Sequence, residues 1–100
     1  MMTYPTDDTL MTVRDIIDRH FHLLWRTDIR LPDSIRSQHR LPSGEWVIRK
    51  WGNPRRSATD KRKLFRVDAH ISLIGTEHTI PIKFEPHETL LVKGLPSLKS

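Results

Sequence analysis

The chain has 100 residues, of which 36% are hydrophobic and 29% charged, with a net charge of +5, six histidines and no cysteine. That length implies one small domain, 1–100, and the composition is too apolar for full disorder and too charged for a membrane protein. Without cysteine there is no disulfide framework, no Cys nucleophile, no iron–sulfur cluster and no Cys-based zinc site. No apolar run approaches the roughly 18 residues of a membrane span. The first eight residues, Met1 to Asp8, lack the basic and apolar regions of a signal peptide, so a cytoplasmic protein is expected.

Residues 1–8 read as a polar lead-in. Thr12-Val13-Arg14-Asp15 then has the form of a capping box. Val13, Ile16, Ile17, Phe21 and Leu24 follow at the spacing of one helical face, which predicts a helix over about 12–26. Residues 27–44 are broken by Pro32 and Pro42. Pro32 to Arg36 could form one helical turn, with the proline at its start, and Pro42-Ser43-Gly44 reads as a turn. Glu45 to Trp51 is aromatic and β-branched, a strand composition. Gly52-Asn53-Pro54 stops it, and Ala58 is the one apolar side chain from there to Lys63, so 52–63 reads as a long basic loop.

The clearest structural signal spans 64–84. Phe65, Val67, Ala69, Ile71 and Leu73 alternate with Arg66, Asp68, His70 and Ser72, the period of a half-buried strand over 64–74. Gly75-Thr76 suits a two-residue type II′ hairpin turn, and the alternation resumes over 78–84. That turn pairs residues whose numbers sum to 151, placing Ile71 opposite Ile80, Ala69 opposite Ile82 and Val67 opposite Phe84. The polar face then sets Asp68 against Lys83 and Arg66 against Glu85. A slip of one residue would destroy both patterns. Pro81 cannot donate to a ladder, so its strand should lie at an edge or a bulge. Residues 89–93 could add a last strand, and 95–100 form a loose tail. The expected fold is α+β, one N-terminal amphipathic helix packed on an antiparallel meander of three to four strands.

The positive charge is local. Between Arg49 and Arg66 eight bases face one acid, a net +7, whereas nine bases and eleven acids elsewhere give −2. A local positive field recruits a polyanion. Lys and Arg neutralise phosphates, and Arg also makes bidentate contacts. The candidate nucleic-acid-binding residues are therefore Arg49, Lys50, Trp51, Arg55, Arg56, Lys61, Arg62, Lys63 and Arg66, with Trp51 offering a ring for stacking on an unpaired base or for support. The same run could be a solvated loop, with Trp46 and Trp51 simply in the core.

Other chemistry finds little support. His20 and His22 point to opposite sides of the predicted helix, and His70 and His78 to opposite faces of the predicted hairpin, so neither pair clamps a metal. No G-x-S-x-G elbow or Walker loop occurs among the four glycines. Glu85 and Glu88 flank Pro86-His87 in a predicted turn, a poor place for a buried general acid. The expectation is a non-enzymatic protein without cofactor or metal that binds DNA or RNA through residues 49–66. The rival is a small accessory protein, encoded by a phage or mobile element, that docks on an acidic surface of a host protein such as a nucleic-acid-handling enzyme and modulates it. Peripheral attachment to anionic lipid ranks lower, because no basic amphipathic helix is present.

Overall fold

The computed structural model describes residues 6–20 and 28–96 of the chain, with side chains over 8–20 and 28–93. The elements run β1 (Thr6–Thr12), α1 (Val13–Arg19), β2 (Asp28–Arg30), α2 (Asp33–Gln38), β3 (Trp46–Arg56), β4 (Leu64–Leu73), β5 (Ile80–Phe84) and β6 (Thr89–Pro96). The six strands form one sheet in the order β1-β6-β2-β3-β4-β5, with every adjacent pair antiparallel. The fold is α+β, but it is mostly sheet. Two short helices and six strands replace the expected single long helix on three or four strands.

The β4–β5 pairing has the register that the alternating pattern predicts. Val67 lies opposite Phe84, Asp68 opposite Lys83, Ala69 opposite Ile82 and Ile71 opposite Ile80. The turn differs. Thr76 donates its N–H to the Leu73 carbonyl at 3.0 Å, and Gly75, at φ +92°, is the third residue of that turn. This is the position where a type II turn needs a residue free of Cβ clashes. The ladder ends at Ile71 and Ile80, so β5 begins two residues later than the predicted 78, and His78 is exposed outside it. The Arg66–Glu85 pair does not form part of the ladder. Pro81 does sit on an edge strand, where its missing N–H leaves no ladder bond unmade.

Other boundaries move for identifiable reasons. Residues 6–12 are an edge strand rather than a lead-in, because β6 extends to Pro96 and pairs with them. Leu95 and Pro96 are therefore strand and not tail. Three residues, Asp28–Arg30, fill the gap between β6 and β3. The capping interaction of Thr12 is present, with Asp15 N–H donating to Thr12 Oγ1 at 3.2 Å. Helix α1 closes at Arg19, with the His20 N–H on the Ile16 carbonyl at 3.0 Å. Phe21 and Leu24 lie outside the described residues. Pro32 is the N-cap of α2 rather than its first helical residue.

The β3 strand does not stop at Gly52-Asn53-Pro54 but runs on to Arg56, with register shifts at Ile48/Lys50, Trp51/Pro54 and Arg55/Arg56. Bulges absorb the proline, which could not donate inside a regular ladder. Gly52 suits a close approach, since a Cβ there would sit 3.1 Å from the Asp68 carbonyl oxygen and the backbone would have to give slightly to admit it.

Inner-face side chains of all the central strands join Val13, Ile16 and Ile17 of α1 and Ile35 of α2 in one apolar cluster, with Phe84, Ile71 and Leu90 fully buried. The sheet must curl around this cluster. Phe84 ends the outermost strand on one side, yet Thr89 begins the strand four places away, a gap of about 19 Å in a flat sheet at about 4.8 Å per strand. The connection between them is a tight turn, closed by Glu88 N–H on the Glu85 carbonyl at 3.1 Å. A β-turn spans less than about 7 Å between its ends. Two further residue steps cannot make up the difference, so curvature does.

Helix α2 ends in a Schellman arrangement, with Leu41 N–H on the Arg36 carbonyl and Arg40 N–H on the Ser37 carbonyl, both at 3.0 Å. The residue forced to positive φ is Arg40, at +58°, where glycine is the usual occupant. Arg40→Gly should therefore raise stability or leave it level, by up to about 1 kcal/mol in urea unfolding, because relief of left-handed strain outweighs the greater freedom of the unfolded chain. In contrast, Ile17, 4% exposed in the core, should cost about 2–5 kcal/mol on replacement by Ala in the same assay. A cost below about 0.5 kcal/mol would place it at the surface.

Candidate nucleic-acid interface

Pairing across the sheet assigns each basic side chain to a face, because directly opposed residues in an antiparallel ladder point the same way. Val67, Ala69 and Ile71 are buried inside, so Arg66, Asp68, His70 and Ser72 point outward. Arg55 opposes Arg66, Lys50 opposes His70, and Lys83 opposes Asp68, which puts all three bases on the outer face. Arg49 joins them, its Nε donating to the buried Ser72 Oγ at 2.6 Å. On the other side of the sheet Arg30 and Lys93 share this face, since Ile29 and Val92 point inward.

Seven cations, Arg30, Arg49, Lys50, Arg55, Arg66, Lys83 and Lys93, therefore stand on this face, and three carboxylates, Asp28, Glu45 and Asp68, are paired with some of them. Arg30 is held by two of those acids. Its Nη2 lies 3.0 Å from Asp28 and its Nη1 2.9 Å from Glu45. The Asp28 hydrogen bond, with a smaller contribution from Glu45, pushes its already high pKa further up. Of the other six cations, Arg55 and Arg66 are paired with Asp68. Asp68 sits between Arg66 at 3.4 Å and Arg55 at 3.9 Å. Arg66 Nε and Asp68 Oδ1 are shielded from solvent and too far apart for a good hydrogen bond, so attraction between charges holds them. Among the described residues Lys50, Lys83 and Lys93 have no ion-pair partner.

Beyond the end of β5, β3 and β4 continue as a two-stranded ribbon, pairing Arg55 with Arg66 and Arg56 with Leu64. Its tip is residues 57–63, not 52–63, and it is ordered by local bonds. Ser57 N–H meets the Lys63 carbonyl at 2.9 Å, and Arg62 N–H meets Asp60 Oδ1 at 3.0 Å. Lys61, Arg62 and Lys63 are exposed there.

Two of the sequence-selected residues point elsewhere. Trp51 opposes the buried Ala69 and packs half-buried against the core, its ring 6.2 Å from that of Phe84. Arg56 Nη2 binds Asp18 of α1 at 2.9 Å. Conversely, Lys83, Lys93 and Arg30 belong to the face but lie outside 49–66. The register that sets Lys83 against Asp68 was the sequence signal for the first of these; β2 and β6 carried no comparable signal. Phe65, expected in the core row, is 52% exposed. The shift between Arg55 and Arg56 makes it the extra residue of β4 and takes it out of the inward alternation.

The inner side holds the one buried carboxylate among the described residues. Glu88 is 3% exposed, despite its place in the 85–88 turn, and this corrects the expectation of an exposed pair. Its Oε1 meets His39 Nε2 at 2.7 Å and Gln38 Nε2 at 3.0 Å, and its Oε2 accepts the Glu85 N–H at 2.8 Å. Every oxygen has a partner, so the group fastens α2 to the turn. A groove of about 610 Å³ beside β5 is lined by His39, Leu41, Ile80 and Ile82 among others. Among the described residues no three His, Asp or Glu side chains gather as metal ligands, and no helix is long and apolar enough to cross a membrane.

No protein-family model, curated protein or solved structure matches this chain.

Asp68→Asn should destabilise the protein by up to about 1 kcal/mol at low salt, as expected for a half-exposed ion pair. The loss should shrink at about 1 M salt, where the screening length falls to about 3 Å. A salt-independent loss in urea titrations would show that packing rather than charge holds Asp68 in place.

Proposed function

We propose that this protein is a non-enzymatic nucleic-acid-binding module that holds a phosphate backbone on the outer face of its sheet and on the β3–β4 ribbon. One observation carries the reading: Arg49, Lys50, Arg55, Arg66, Lys83 and Lys93 share a surface on which Asp68 is paired with Arg55 and Arg66 while Asp28 and Glu45 are committed to Arg30. The cations stand on paired strands, so the ladder sets the spacing of their backbone positions. Lys61, Arg62 and Lys63 extend the same charge along the tip. Arg56 and Trp51 support the ribbon from its inner side.

Backbone binding releases counterions, so affinity must fall with salt. With about 4–6 cations engaged, the log–log slope for duplex DNA by fluorescence anisotropy should lie near −4 to −5, from about −0.9 per phosphate. Lys50→Glu with Lys83→Glu should flatten that slope by about two units or more, while Arg56→Ala, which loses only the Asp18 pair, should leave it nearly unchanged. Failure of the protein to bind duplex or single strand at low salt would overturn the reading. It would favour the alternative of an accessory protein whose basic face meets an acidic protein surface.

A further inference from the structure

Phe65 is the exposed aromatic ring of the basic ribbon, and it is exposed for a backbone reason. Arg55 pairs with Arg66 and Arg56 with Leu64, so Phe65 is the one residue of β4 in that stretch without a partner. Leu64 takes the inward position, at 3% exposure, and Phe65 is left 52% exposed. The neighbouring inward positions are taken by Leu64 and Val67, which belong to the core cluster, whereas Phe65 does not. Its surroundings are cationic. Arg66 follows it in the chain and Lys63 lies two residues before it, Arg55 stands on the facing strand, and Lys61 and Arg62 lie in the adjoining tip.

Of the other large apolar side chains exposed on the described surface, neither Leu10 nor Ile74 is aromatic. Trp51 and Trp46 are turned into the core, Trp46 with its indole N–H on the Pro42 carbonyl at 2.9 Å. A flat ring on a ribbon that also carries cations suits a ligand that has anionic groups and planar faces together. Nucleic acid with unpaired bases has both, and a duplex keeps its base faces stacked away.

Resting on the nucleic-acid reading above, we propose that Phe65 is a stacking platform for an unpaired nucleobase, and that the ligand of the ribbon is single-stranded. The cations of the ribbon fix the phosphates on either side, and the bulge presents the ring to the base between them. Stacking is tolerant of base identity, because every base has a π-face. The site therefore selects for strandedness rather than sequence.

The test uses the full chain and three labelled probes: a dT15 strand, a 15-base-pair duplex, and a 15-unit abasic deoxyribose-phosphate strand. Phe65→Ala should weaken dT15 binding by about 5- to 150-fold, the loss of one stacked base. Duplex and abasic-strand affinities should change by less than about twofold, as should the salt slope, since no charge is removed. Phe65→Leu should fail to restore dT15 binding and Phe65→Trp should restore it, which separates stacking from simple apolar contact. Equal thermal midpoints for the variants confirm an exposed site. If wild type binds dT15 with a steep salt slope and Phe65→Ala binds it equally well, the platform is wrong and the basic face stands. Equal losses on all three probes also overturn the platform. If wild type binds none of the probes at low salt, both fall together.

Discussion

The turn at 85–88 is the constraint on which the rest of the molecule depends. It carries the chain from β5, the last strand of the sheet, to β6, four strands away, in four residues. It can do so only because it is fastened from several sides. The Glu88 carboxylate is bound by His39, Gln38 and the Glu85 N–H, while the carbonyls of Pro86 and Glu88 accept the first two N–H groups of α1 at 3.0 and 2.8 Å. Those helix N–H groups would otherwise be orphans, because a helix cannot satisfy its own first turn. A buried carboxylate is costly unless it is fully bonded. Here it fastens α2 to the turn while the backbone carbonyls hold α1, so both helices are tied to the link between the two strands that must be drawn together, and the curled sheet follows. Curling gathers the apolar face around one cluster and turns the charged face outward.

What could be read from the sequence was whatever rested on local periodicity. The β4–β5 register was legible because nine alternating residues met a second alternating run of opposite charge across one turn. The cap at Thr12 was legible because the hydroxyl and its target lie three residues apart. The rest needed distant partners. Thr6–Thr12 is polar and becomes a strand only by pairing with residues that follow it by about eighty positions. Gly52-Asn53-Pro54 carries every local sign of a loop, yet the neighbouring β4 strand holds it in the sheet through bulges. Burial of Glu88 depends on His39 and Gln38, 49 and 50 residues earlier.

The basic interface divides in the same way. The concentration of charge between Arg49 and Arg66 is a property of composition and was visible at once. Its distribution between two faces is a property of register and was not. Three bulges in one strand pair shift the phase repeatedly, so Trp51 turns inward, Arg56 is taken by Asp18, and Phe65 emerges. Lys83 and Lys93 reach the face from strands whose own sequences carry no unusual charge. Clustering in sequence thus located the neighbourhood, and the ladder decided its membership.

The pairing of β1 with β6 has a consequence for how the molecule can be joined to others. Thr6 lies across from Pro96, so the chain enters and leaves the sheet side by side. Across the sheet, β2 separates Pro96 from β3, and β6 and β2 separate Thr6 from it. A tether, surface anchor or neighbouring module attached at either end departs from the same corner. Because β3 runs parallel to β6, with Val47 and Leu91 both level with Arg30, that corner lies at the end of the sheet from which the cationic ribbon extends, and anything hung there would stand beside the ribbon.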